Sequence, residues 1–214
     1  MTISRRNLVL VLTVLCGLLV YWFWPARQWE HRNFPPRAAG PWVAFGDSLT
    51  EGYGASAGGD YPSQLGKLLG VPIQNVGVSG ETSGDGLRRI AAVEALEPRV
   101  VLLCFGGNDV LRNLPPDQMF ANIGAMIDRL QAHGSFVVLI GIRGRSMVGD
   151  GNADRFVELA RDKGVMHVPN ILDGLLTSPS LMADYVHPND AGYTKIAERL
   201  ANELKPLMSK LVTQ

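Results

Sequence analysis

Five short runs of strand length, most of them apolar and separated by stretches of helical period, constrain the fold of this chain more than any other feature of its sequence. The runs are residues 42–45, 73–76, 100–105, 136–142 and 165–168, each of strand length and bounded by turn-forming residues. Between them, residues 117–133 carry Phe120, Ile123, Ile127 and Leu130 on one face, as a helix laid on a sheet requires. The last segment, residues 190–211, opens after Pro188 and Asn189 and sets Tyr193, Ile196, Leu200, Leu204 and Leu207 in an inward stripe. Strands alternating with such helices imply parallel pairing, since a parallel neighbour is reached only through a crossover. The expectation is α/β: a three-layer α/β/α sandwich with a five-stranded, parallel, doubly wound sheet of flavodoxin type.

The 214 residues, 46% of them hydrophobic and 19% charged, hold enough apolar material for one packed core. Lys plus Arg and Asp plus Glu number 20 each, so no net field favours nucleic acid, and none is expected as a partner. Cys16 and Cys104 sit in apolar runs without CxxC spacing, and the four histidines lack the spacing of a helical metal site. No disulfide, metal or other cofactor is expected.

Residues 8–24 are uncharged and apolar behind Arg5 and Arg6, and a helix of that length nearly crosses a hydrocarbon core of ~30 Å. Tyr21, Trp22 and Trp24 followed by Pro25 and Arg27 fit the interfacial end of a spanning helix. No AxA-type cleavage site precedes residue 38, so an uncleaved transmembrane anchor is the expectation and a cleaved signal the alternative. Residues 1–24 are thus read as anchor or signal, 25–40 as an Arg- and Pro-rich linker, and 41–214 as the folded domain. The expected location is the inner membrane with that domain facing the periplasm or cell exterior, or secretion if the segment is cleaved. Arginines flank the segment on both sides, so the positive-inside rule leaves the orientation open.

In a doubly wound sheet, ligands bind outside the carboxyl ends of the strands. Four segments fall there. Gly46-Asp47-Ser48-Leu49-Thr50 follows the first run, with a glycine for a sharp turn and a serine to present. Asn75-Val76-Gly77-Val78-Ser79-Gly80-Glu81-Thr82 follows the second, Gly106-Gly107-Asn108-Asp109 the third, and Asp184-Tyr185-Val186-His187-Pro188 lies near the end. Singly, each has an ordinary structural explanation: Asp47 and Asp109 as hydrogen-bond acceptors, Cys104 as a buried apolar group, and His133 and His167 as structural histidines. Arg143 and Arg145 either face substrate or are solvated.

In order and position the four segments resemble the four blocks of the SGNH (GDSL-type) hydrolases, and the resemblance spans residues 42 to about 205. The longer runs GDSLTEGYG, NVGVSGETS and GGND look most like the bacterial arylesterase, thioesterase and lysophospholipase-like subgroup. The resemblance implies Ser48 as nucleophile, His187 as base, Asp184 as its orienting carboxylate, and Ser48, Gly80 and Asn108 as oxyanion donors. The amino-terminal segment and the loop 143–151 depart from the pattern, which bears on substrate choice.

These residue types suit the chemistry without the name. A serine hydroxyl attacks well at neutral pH only when a neutral imidazole takes its proton, and a carboxylate three residues before His187 can fix the imidazole tautomer. The expected function is hydrolysis of carboxylic esters, thioesters or lysophospholipids through an acyl-enzyme, with a small-molecule or lipid ester as substrate. De-O-acetylation of an envelope polysaccharide is an alternative with the same triad, and a catalytically silent anchored binding module is an alternative of another class.

Overall fold

The computed structural model describes residues 30–142 and 151–212. Its centre is a parallel sheet of β1 (Trp42–Gly46), β2 (Ile73–Asn75), β3 (Val100–Cys104), β4 (Phe136–Ile140) and β5 (Met166–Val168). The strand order is β2-β1-β3-β4-β5, the flavodoxin-type order expected from the alternation. Trp42 pairs with both Ile73 and Val100, and Val100 in turn with Phe136. Every residue of β1, β3 and β4 is buried, which is why these strands read as continuous apolar runs rather than alternating ones.

The helices are α1 (Ser48–Glu51), α2 (Tyr61–Leu69), α3 (Ser83–Glu94), α4 (Gly107–Leu111), α5 (Pro116–Ala132), α6 (Asn152–Lys163), α7 (Asp190–Leu204) and α8 (Met208–Leu211). Tyr61 and Leu65 of α2 and Tyr193, Ile196, Leu200 and Leu204 of α7 share one buried cluster with Trp42, Ala44, Val100, Leu102 and Phe136. Strand side chains alternate between faces, so Phe45, Val101 and Leu103 point the other way. There α3, α5 and α6 bury Ile90, Ile123, Ile127 and Phe156. Three layers follow from this alternation alone.

Two expectations change. The final helix does not run through residue 211 but stops at Leu204. Pro206 has no N–H for the carbonyl of Asn202, and the chain passes through a 3₁₀ turn, Lys205–Leu207, into α8. Residues 31–38, read as part of a linker, are docked on the domain: Asn33 donates to the carbonyls of Gln131 and Ser135, and the Phe34 ring lies 5.3 Å from that of Phe136. The apolar segment 8–24 lies outside the described residues. Among the described residues no helix is long and apolar enough to cross a membrane.

Candidate active site

The order of the strands reverses between β1 and β3, and at such a switch point the loops diverge and leave a crevice. Ser48 leaves β1 there as the first residue of α1, and Asn108 lies in α4 just after β3. The loop after β2 brings Gly80 alongside. All three line one groove of about 310 Å³ together with His187.

His187 arrives from the far end of the chain, just ahead of α7. Its loop folds back on itself, with the Ala183 N–H donating to the His187 carbonyl at 2.8 Å and an antiparallel bridge between Met182 and Pro188. Asn189 anchors the loop by accepting from the Gly192 N–H at the start of α7. The result is a continuous relay. His187 Nε2 lies 3.0 Å from Ser48 Oγ, and His187 Nδ1 lies 2.8 Å from Asp184 Oδ2. The other Asp184 oxygen accepts from the backbone N–H groups of Val186 and His187, each at 2.7 Å. Partial burial works against the charge on Asp184, but these bonds from His187 and Val186 outweigh it and hold the carboxyl below its usual range. Asp184 is therefore an anion that favours a proton on Nδ1 and leaves the Nε2 lone pair facing Ser48.

The same groove is lined by hydrogen-bond donors. In the loop after β2, the amides of Val78, Ser79, Glu81 and Thr82 donate to the Gly46 carbonyl, Glu51, the Val78 carbonyl and Asp85 respectively. The Gly80 N–H has no partner among the described residues, and neither has the Ser48 N–H. Asn108 donates from Nδ2 to the Glu81 carbonyl at 2.9 Å, while its contact with Asp47 Oδ2 is longer, 3.4 Å.

Asp47 and Asp109 have the structural partners expected of them. Asp47 accepts from the Leu49 N–H at 3.1 Å and caps α1. It is fully buried, and desolvation, reinforced by the nearby Asp109 carboxylate, pushes its carboxyl up to about 7. Asp109 accepts from the N–H and hydroxyl of Ser83 at 2.8 and 2.6 Å, tying α4 to the start of α3. Burial pushes the Cys104 thiol well up, which suits an inert core group. Burial acts in the opposite direction on the His167 imidazole, which it pushes down to about 4. Arg143 and Arg145 lie outside the described residues. Among the described residues no cluster of His, Cys, Asp and Glu has the arrangement of a metal site.

Several groups around the relay were not singled out from sequence. The Tyr53 ring stands 4.5 Å from the His187 ring, and the Tyr53 carbonyl is fixed by the Tyr193 hydroxyl at 2.9 Å. Tyr53 lies within the GDSLTEGYG run, so its position was a signal available in advance. The apolar walls come from Val110, Leu111, Ile142, Leu172, Leu176 and Val186, with Tyr185 almost wholly exposed at the mouth.

Comparison with known proteins points the same way. The model of the GDSL-like lipase/acylhydrolase family matches residues 44–195. An arylesterase of Vibrio mimicus is 33% identical over 173 residues, covering 76% of this chain and 86% of that protein. The thioesterase 1/protease 1/lysophospholipase L1 of Escherichia coli K12 is 30% identical over 185 residues, covering 83% of this chain and 89% of that protein. Among solved structures, that of TesA superposes with a TM-score of 0.74 at 29% identity, covering 78% of this chain and 99% of that one.

Proposed function

Because the chain belongs to the GDSL-like lipase/acylhydrolase family and is an ester hydrolase of that type, we propose that it cleaves carboxylic esters through an acyl-enzyme on Ser48. The observation that carries this reading is the relay of Asp184, His187 and Ser48 at 2.8 and 3.0 Å, facing N–H groups that have no partner among the described residues across an apolar groove.

In this mechanism His187 Nε2 takes the Ser48 proton as Oγ attacks the ester carbonyl, and Asp184 stabilises the imidazolium that forms. The negative charge on the former carbonyl oxygen is met by the Ser48 and Gly80 N–H groups and by the Asn108 N–H not held by Glu81. His187 returns its proton to the departing alcohol. It then deprotonates the water that attacks the acyl-enzyme, and Ser48 leaves protonated.

The groove favours an ester with an apolar acyl or aryl portion, because its walls offer aliphatic side chains and few hydrogen-bonding groups to a sugar. Thioesters and lysophospholipids fit the same walls, and the names of the relatives accord with them. De-O-acetylation of a polysaccharide draws less support from this surface, and the continuous relay speaks against a silent binding module. Residues 8–24 are proposed to tether the enzyme to the inner membrane with the domain outside it. Membrane fractionation and protease accessibility in intact spheroplasts test that location.

The chemistry is tested by Ser48→Ala. Removing the nucleophile from a coupled triad lowers kcat by on the order of 10⁴-fold or more on nitrophenyl esters, with the thermal transition retained. A folded Ser48→Ala protein that turns over ester at a rate near the parent's would sink the proposal.

A further inference from the structure

The loop that presents the Gly80 N–H is held from both sides by charged side chains that ordinary surface residues would have no reason to aim there. Gly80 has a φ of +81°, a conformation that few other residues adopt readily. The orientation of its peptide planes depends on what grips the loop. On one side, Glu51 Oε2 accepts from the Ser79 N–H at 2.7 Å and from the Ser79 hydroxyl as well. On the other, Arg112 donates from its guanidinium to the Gly80 carbonyl at 2.6 Å.

The origin of the two side chains matters more than their charge. Glu51 is the last residue of α1, the helix that begins with Ser48. Arg112 follows α4 directly, and its own N–H donates to the Asn108 carbonyl at 3.0 Å. Each helix that bears one proposed oxyanion donor therefore sends a charged group to the peptides on either side of the third donor. Among the described residues neither charged group forms a direct ion pair, although the Arg112 charge also reaches the Asp85 carboxylate, and the hydrogen bonds of both side chains go to the loop at Ser79 and Gly80. Charge-assisted bonds of this kind are stronger than neutral ones and fix direction as well as distance.

We propose that Glu51 and Arg112 are positioning residues, a two-sided clamp that aims the Gly80 N–H at the oxyanion by locking its loop to the helices of Ser48 and Asn108. The inference rests on the reading of Ser48 and Gly80 given above. Neither side chain lines the groove, so the clamp acts through the loop and not on substrate. A donor that drifts from its aim loses most of its value in the transition state, where the charge develops, and little in substrate binding.

The test uses the full chain in detergent, with Glu51→Ala, Arg112→Ala and the conservative Glu51→Gln and Arg112→Lys. Steady-state hydrolysis of a nitrophenyl ester is read beside the rate of covalent labelling of Ser48 by a fluorophosphonate. Each alanine variant is expected to lose on the order of tenfold in kcat with KM within about twofold of the parent. Labelling should slow in step, since the phosphonyl oxygen uses the same donors. The Gln and Lys variants should recover most of the loss, because Gln still accepts from Ser79 and Lys still donates to the Gly80 carbonyl. Alanine variants with the parent's kcat, a loss carried by KM, or a loss that Gln and Lys leave unrepaired overturns the clamp. A parent chain that is not labelled on Ser48 defeats the underlying reading, and the clamp falls with it. A parent labelled on Ser48 beside alanine variants labelled equally fast defeats the clamp alone.

Discussion

Replacing Asp47 by Asn asks whether a buried carboxyl beside the nucleophile changes charge near neutral pH. Asp47 is fully buried, caps α1 through one bond to the Leu49 N–H, and has only a long contact with Asn108. Burial and the neighbouring Asp109 raise its carboxyl from the usual 3.8 to about 7. An acid raised in this way is more easily protonated when folded than when unfolded. Its protonated form supports the fold fully below the unfolded value, and that support is lost as pH climbs toward the folded one. A gap of about three pH units corresponds to roughly 4 kcal/mol once the group is ionised in both states. Between pH 5 and pH 8 the wild-type chain should lose roughly 3 kcal/mol that the Asn variant keeps. Asn retains an acceptor for Leu49 and carries no charge at either pH. Any fixed cost of its amide beside Asn108 cancels when the two pH values are subtracted. The assay is denaturant unfolding of both proteins near pH 5 and pH 8, compared as the stability difference between variants at each pH. Parallel pH profiles for the two proteins would refute the argument, since Asp47 would then not titrate in that interval.

Asp184→Asn removes the anion that orients His187. It should lower kcat by on the order of 10²–10⁴-fold on ester substrates while leaving the thermal transition near the parent's, because the side chain is partly exposed. Gly77→Ala places a Cβ 2.2 Å from the Glu51 nitrogen and 2.7 Å from the Thr50 carbonyl carbon, in the helix that starts with Ser48. Relief of that contact requires a shift of about 1 Å, so the folded variant should lose on the order of 10²-fold in kcat and its urea midpoint should fall. A fully active Gly77→Ala would show that the helix can move without disturbing Ser48.

The centre of the sheet was legible because β1, β3 and β4 are buried on both faces, and runs such as 100–105 and 136–142 have no polar interruption until the strand has ended. Their parallel order followed from the helices between them. The relay residues were legible for a different reason. Ser48 and Asn108 follow β1 and β3 and the Asp184–His187 pair precedes α7, and although each motif alone has an ordinary structural use, their order and spacing together carried the resemblance that implied their roles. What stayed hidden depends on loops without period. Leu172, Leu176 and Tyr185 wall the groove from irregular segments. Glu51 and Arg112 resemble solvated charges until the loop they grip is seen. The docked arm at residues 31–38 was unreadable because its anchors, Asn33 and Phe34, bind carbonyls and a ring about a hundred residues away. The helix end at Leu204 stayed hidden because the apolar stripe continues in period past Pro206 to Leu207.

The central claim is a covalent acyl group on Ser48. It is tested most directly by quenching the enzyme in acid within its first turnovers of a slowly deacylating ester, then digesting it and mapping mass increments by peptide. The account predicts an increment equal to the acyl group on the peptide containing Ser48, absent from Ser48→Ala and lost as turnover completes. Ester consumed with no acyl increment on any peptide, or with the increment on a residue other than Ser48, would contradict it.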